Sequence, residues 1–300
     1  MLAIFQTIAP IFLIIALGIA LRRTPVFDDA FWTGLDRMAF YVLYPVLLFV
    51  TILKADFGAL SIAPVFYSIF LGWAAVAAVT LALWPVLRAR GVSGPTFSSV
   101  FQGAVRWNGF VALTAAYKMF PPEGAAMVAL IMAAIIIPIN VAAVTVVIRF
   151  SDNPGSSAHI GTKILLNPMI LGVVFALLVR QLPFGVPEII TDGLDLIARA
   201  ALGMGLLAIG AGLNLKAALR PSAPVWIATV FKLALYPAVV IAFAILLGLQ
   251  SDQLEYLALC AAVPTAMNGY VVARQMGGDA PTYAAIATVQ TAIAFISIPV

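Results

Sequence analysis

Of the 300 residues, 64% are hydrophobic and only 9% are charged, far from the roughly 45–50% apolar content of a soluble domain. This excludes a soluble domain and leaves an integral membrane protein with almost the whole chain embedded. The net charge of +4 does not point to nucleic acid, because basic residues in a membrane protein are read first by the side on which they lie.

Runs of about 20 apolar residues, each long enough to cross a hydrocarbon core of about 30 Å, predict ten spans. They fall at 2–21, 33–53, 62–87, 97–119, 124–148, 163–180, 194–215, 223–248, 254–275 and 281–300. The first run has no basic segment ahead of it and is long enough to span, so it reads as a helix rather than a cleaved signal. Span two opens on Leu35-Asp36 and carries Tyr41 and Tyr44, which read as packing or cavity-lining aromatics.

Span four is the first irregular one. Ser98, Gln102 and Arg106, four residues apart, share one face, and Asn108-Gly109 follows directly. Asn competes for backbone hydrogen bonds and Gly is permissive, so the pair interrupts a helix. Freed backbone groups are tolerated in a bilayer only where protein or a wet cavity covers them. Arg near a helix centre costs about 2.5–3.5 kcal/mol on insertion scales, so Arg106 either faces a cavity and binds an anion or else snorkels to the interface or pairs with a buried carbonyl.

Between spans five and six lies a polar linker at 151–162 containing His159, the chain's one histidine, which reads as a solvated loop residue. Span seven opens on Leu194-Asp195. In span eight, Lys232 sits about ten residues deep, either as a substrate ligand or as a structural cation at broken-helix C-termini, where another transporter would place sodium. Span nine holds the single cysteine, Cys260, a small buried hydrophobe by default. It also holds Pro264, which cannot donate a backbone N–H, and a second pair, Asn268-Gly269. The bland reading of both pairs is interhelical hydrogen bonding by Asn and close contact at Gly.

With the N-terminus outside, the inner helix ends and connections hold Arg22, Arg23, Arg37, Arg88, Arg90, Arg149, Lys163, Lys216, Arg220 and Arg274. The outer ones hold only Lys54, Lys118, Arg180 and Arg199. This asymmetry predicts both termini outside. The twelve acidic residues fall in loops or near span ends, Asp36 and Asp195 included. With no carboxylate at mid-membrane to bind a metal cation, the inventory favours an organic anion as cargo. No metal-ligand cluster or phosphate-cradling loop appears, so neither an enzyme nor a cofactor is expected.

The two halves repeat. Pro10–Arg22 matches Pro168–Arg180, Leu35-Asp36 matches Leu194-Asp195, NGFV at 108–111 returns as NGYV at 268–271, and IIIPI at 135–139 returns within 295–300, all shifted by 158 to 161 residues. Five spans per repeat is an odd number, so the copies at 1–150 and 163–300 are inverted. Inverted repeats place substrate near the midplane, where broken helices meet. The expected fold is therefore an all-α polytopic membrane protein with broken, crossing helices four and nine. Half-helix N-termini there would suit an anion.

The stretches LDRMAFYVLYPVLLF (35–49), WNGFVAL (107–113), LNPMILGVVFALL (166–178), MGLLAIGAGLNL (204–215) and VPTAMNGYVVARQMGGD (263–279) resemble the auxin efflux carrier family of secondary transporters, in its short-loop bacterial form. The resemblance covers essentially the full chain. It implies a scaffold of spans one, two, six and seven, and a mobile transport domain of spans three to five and eight to ten. It also implies a crossover at Asn108, Asn268 and Pro264, carboxylate cargo such as malate, malonate or auxin-like acids, and a homodimer through the scaffold. The sequence departs from the family in span four, where no proline lies between Pro95 and Pro121.

Together these readings predict a plasma-membrane carrier of organic anions. Its expected site comprises Gln102, Arg106, Asn108, Gly109, Lys232, Pro264, Asn268 and Gly269. Two alternatives use the same fold: a proton- or sodium-coupled carrier with Gln102, Asn268 and Gln290 around the sodium, and a receptor that binds a small ligand without moving it.

Overall fold

The computed structural model describes residues 2–55, 62–151, 168–183, 186–249 and 251–298. The linker at 151–162, apart from Ser151, lies outside them with His159, as do 163–167 and Pro299. Every regular element among the described residues is a helix. In chain order, apart from a single turn at Leu215–Ala218, these are α1 (Leu2–Arg22), α2 (Asp29–Lys54), α3 (Ile62–Ala89), α4 (Gly94–Val105), α5 (Gly109–Met119), α6 (Pro122–Phe150), α7 (Pro168–Val179), α8 (Glu188–Gly212), α9 (Ala223–Leu246), α10 (Ser251–Ala262), α11 (Asn268–Met276) and α12 (Ala280–Ser297). Six of them, α2, α3, α6, α8, α9 and α12, are long and apolar enough to cross a membrane.

Local chemistry sets the helix ends. Asp28, Ser93 and Asp279 cap α2, α4 and α12 by accepting from Phe31, Thr96 and Thr282 N–H, each satisfying a donor that the first helical turn leaves free. Inside α2 and α9 lie π turns, Ala39–Leu43 and Phe231–Leu235. Each directly precedes a Tyr-Pro pair, Tyr44-Pro45 and Tyr236-Pro237. A proline ring clashes with the carbonyl four residues back, and a wider turn relieves that clash without ending the helix.

Two helices begin earlier than the apolar runs suggest. Those runs start at 33 and 194, whereas α2 starts at Asp29 and α8 at Glu188. Asp36 and Asp195 therefore lie about two turns inside their helices instead of near the ends. Hydropathy marks where a helix meets hydrocarbon; acidic residues favour its first turn outside that boundary. Asp195 accepts an ion pair from Lys54 at the end of α2, and beside it Arg180 donates to the Ile52, Leu53 and Ala55 carbonyls.

The chain leaves the helix between α4 and α5, at Arg106–Asn108, and between α10 and α11, at Val263–Met267. Halves of 12 and 11 residues, and of 12 and 9, are each too short at about 1.5 Å per residue to cross about 30 Å alone.

Close packing relies on glycine at three contacts. A Cβ on Gly210 of α8 would overlap the Ile15 carbonyl of α1, and one on Gly18 of α1 would overlap the Leu207 carbonyl of α8. Gly172 of α7 meets the Pro45 carbonyl of α2 in the same way, and Gly72 of α3 meets Val240 of α9. Without a hydrophobic drive between helices in lipid, such backbone approach is what holds them. Gly210→Ala should force α1 and α8 apart, an overpacking cost of about 1–3 kcal/mol. A lower Tm of the detergent-solubilised protein would report it; Gly34→Ala, with nothing within 4 Å, should leave Tm unchanged.

Candidate functional site

Each break strands backbone groups whose helical partner four residues away is gone, and the fold supplies substitutes for them. In the first break, Arg106 turns extended and its N–H still reaches the Gln102 carbonyl, but Trp107 no longer continues the helix and the Gly103 carbonyl is released. Gln290 Nε2 of α12 donates to that carbonyl at 3.0 Å, and to the Ala228 carbonyl of α9 at 3.1 Å. Asn108 caps α5, its Oδ1 accepting from Val111 N–H at 3.2 Å. No proline is needed here: an Asn cap and an extended arginine suffice to stop and restart the helix.

In the second break, Pro264 cannot continue α10, and the Ala261 carbonyl loses its Thr265 partner. Lys232 Nζ donates to Ala261 O at 2.7 Å, while Thr265 N–H turns to Gln290 Oε1 at 2.9 Å. The Ala266 carbonyl accepts from the Tyr283 hydroxyl at 2.6 Å, and that hydroxyl also meets Thr265 Oγ1 at 2.8 Å. The two breaks join directly, with Asn108 N–H donating to the Pro264 carbonyl at 2.7 Å.

The side chains at this junction are polar and sealed. Gln102 is 0% exposed, and Arg106 and Asn108 are each 2% exposed. Arg106 Nε donates to Gln102 Oε1 and its Nη1 donates to Asn268 Oδ1, both at 3.1 Å. Its Nη2 and the Gln102 Nε2 are buried with no partner, and no acidic side chain pairs with Arg106 among the described residues. The two asparagines are not equivalent: Asn108 is buried, whereas Asn268, in the first turn of α11, is exposed.

Gly269 is required by its neighbour, since any Cβ there would overlap the Tyr283 ring. Gly109 faces the flexible Met132 side chain, with less at stake. Lys232 is 0% exposed and its ammonium lies 4.2 Å above the Tyr236 ring. The structure thus gathers Gln102, Arg106, Asn108, Pro264 and Asn268 at one junction, with Lys232 behind it at Ala261. Thr265 and Tyr283 join the candidate site and were not expected from sequence; the signal for Tyr283 was its place two turns before Gln290 on one face of α12.

A cavity of about 240 Å³ lies between the C-terminal ends of α1 and α8, with Arg22, Arg23, Asn214 and Lys216 in its lining. Gly212 of the same stretch borders Met267, the residue before Asn268.

In hydrocarbon an irregular backbone persists only where its polar groups are taken up. Six helices of membrane length around such a place define a membrane transport protein. The family model described as membrane transport protein, of the auxin efflux carrier type, matches residues 118–300, and the chain belongs to that family. The match includes Lys232, Pro264 and Asn268 and begins after Asn108. Comparison with curated proteins gives no match.

Gln290→Ala should strand the Gly103 carbonyl and the Thr265 amide, at about 1–3 kcal/mol for each buried group left unpaired. Thermal unfolding should show a clear fall in Tm. Thr291→Val, which removes a hydroxyl bonded only within its own helix, should change it little.

Proposed function

We propose that this protein is a secondary transporter of organic anions, carboxylates above all, which bind at the junction of the two broken helices. The observation that carries this reading is the pair of buried donors without acceptors, Arg106 Nη2 and Gln102 Nε2. A guanidinium presents a planar fork that matches a carboxylate, and here one prong is unused. Asn268 fixes the other prong and lies on the exposed side, where a solute can arrive; the basic cavity at the ends of α1 and α8 would attract anions to the same protein face. Asn108 shapes the break rather than holding cargo, because its amide oxygen is engaged in capping α5.

The reading extends to an inverted-repeat carrier with an elevator-type motion, a scaffold of spans one, two, six and seven, and both termini outside the plasma membrane. Its support is the pairing of helices. α1 packs on α8 as α7 does on α2, α3 packs on α9, and α4 packs on α12 as α10 does on α6, in keeping with a two-fold exchange of halves. Contacts at helix ends agree: Phe120 with Tyr256, and Thr96 with Asp279, join ends that the distribution of basic residues puts on one side.

Sodium coordination by Gln102, Asn268 and Gln290 is disfavoured. Each amide oxygen already accepts a hydrogen bond, two of them from the Arg106 cation itself.

Proteoliposomes should take up one or more of malate, malonate, succinate and indole-3-acetate. Arg106→Ala should abolish that flux with the fold intact. Gln102→Leu, which loses one hydrogen bond to a charged group worth about 1.5–3 kcal/mol, should weaken apparent affinity about tenfold or more. Undiminished flux in the Asn108→Ala, Asn268→Ala double variant, or binding of these acids without any flux, would overturn the assignment.

A further inference from the structure

We infer that Lys232 is a resident cation: its ammonium permanently holds the place at the end of α10 where a broken membrane helix would otherwise recruit a metal ion. The C-terminal end of a half-helix carries partial negative charge and exposed carbonyls, and in transporters with discontinuous helices such ends coordinate sodium. Here the Ala261 carbonyl has lost its backbone partner to the break and takes Lys232 Nζ at 2.7 Å instead. The ammonium is fully buried and seated over the Tyr236 ring at 4.2 Å, so a π face supplies further compensation. Among the described residues no carboxylate pairs with it, and no group of His, Cys, Asp or Glu is arranged to hold a metal.

The contrast with the other break sharpens the assignment. The Gly103 carbonyl, stranded at the end of α4, is satisfied by the neutral amide of Gln290. Only the α10 end receives a lysine side chain. That same glutamine binds the Ala228 carbonyl, one turn before Lys232 on α9, so the ammonium and the Arg106 break are built into one framework. Lys232 is a positioning residue: it holds the second break in shape, and the unused donors beside the cargo belong to Arg106 and Gln102.

Two consequences follow. Transport needs no sodium, and emptying the ammonium's place creates a vacancy that a small cation can fill. The full-length protein is reconstituted and anion uptake compared in sodium, choline and methylammonium media. Wild type should transport equally in sodium and choline. Lys232→Ala should be slow in choline and recover several-fold in sodium or methylammonium. Lys232→Gln, which keeps a donor for Ala261 but no charge, should stay folded and slow in all three.

The transport readout rests on the anion reading; a second readout does not. Sodium should raise the Tm of Lys232→Ala and leave that of wild type unchanged. If wild type moves no anion while the Tm shift appears, the cargo assignment fails and the resident cation stands. Sodium-stimulated wild-type uptake would overturn the inference, as would a Lys232→Gln variant as active as wild type, or a folded Lys232→Ala that no small cation rescues or stabilises. Should Lys232→Ala not fold, Lys232→Gln and the sodium response of wild type decide the question alone.

Discussion

A backbone opened inside hydrocarbon must find every partner within the protein, and the rest of this structure is arranged around that demand. The bond from Asn108 N–H to the Pro264 carbonyl lets two breaks satisfy each other. What they cannot share falls to three side chains brought from elsewhere: Gln290, Tyr283 and Lys232. Each unpaired group in such a setting costs several kcal/mol, so the junction exists only because these three reach it. Polar residues that would be liabilities on α9 and α12 are the condition for irregular structure between α4 and α11.

Charge follows the same logic with an intended shortfall. Arg106 and Lys232 are both buried, and no buried acid balances them among the described residues. Lys232 is compensated by a carbonyl and a ring. Arg106 is compensated on two of its nitrogens, leaving the third buried and bare. A buried charge is stable when paired and hydrogen-bonded; on the proposed reading, an arriving carboxylate would complete the deficit at Arg106.

How much of this was legible in the sequence depends on the range over which each feature is set. The breaks were legible, because Asn-Gly and Pro264 act on their own neighbours; so was the polar stripe of Gln102 and Arg106, four residues apart on one face. The roles of Gln290 and Tyr283 were not, because their partners lie up to 187 residues away. In sequence Gln290 suits a cation ligand as well; in the fold its oxygen accepts from Thr265 N–H. Asp36 and Asp195 were placed near span ends because apolar runs start later than helices do. The two Asn-Gly pairs read alike in sequence and each lies at a helix break, but the surroundings bury Asn108 as a cap and leave Asn268 exposed beside the guanidinium.

Among the described residues, the hydrogen bonds that tie the junction join α4, α5, α9, α10, α11 and α12. Against α1, α2, α7 and α8 the junction is held mainly by contacts that can slide, such as the Tyr44 ring on Phe110 and Phe12 against Phe295, with Thr51 and Asn214 reaching across. On the proposed cycle, therefore, both sides of the bilayer would meet the same unaltered binding geometry, and the doorway rather than the seat would differ between them.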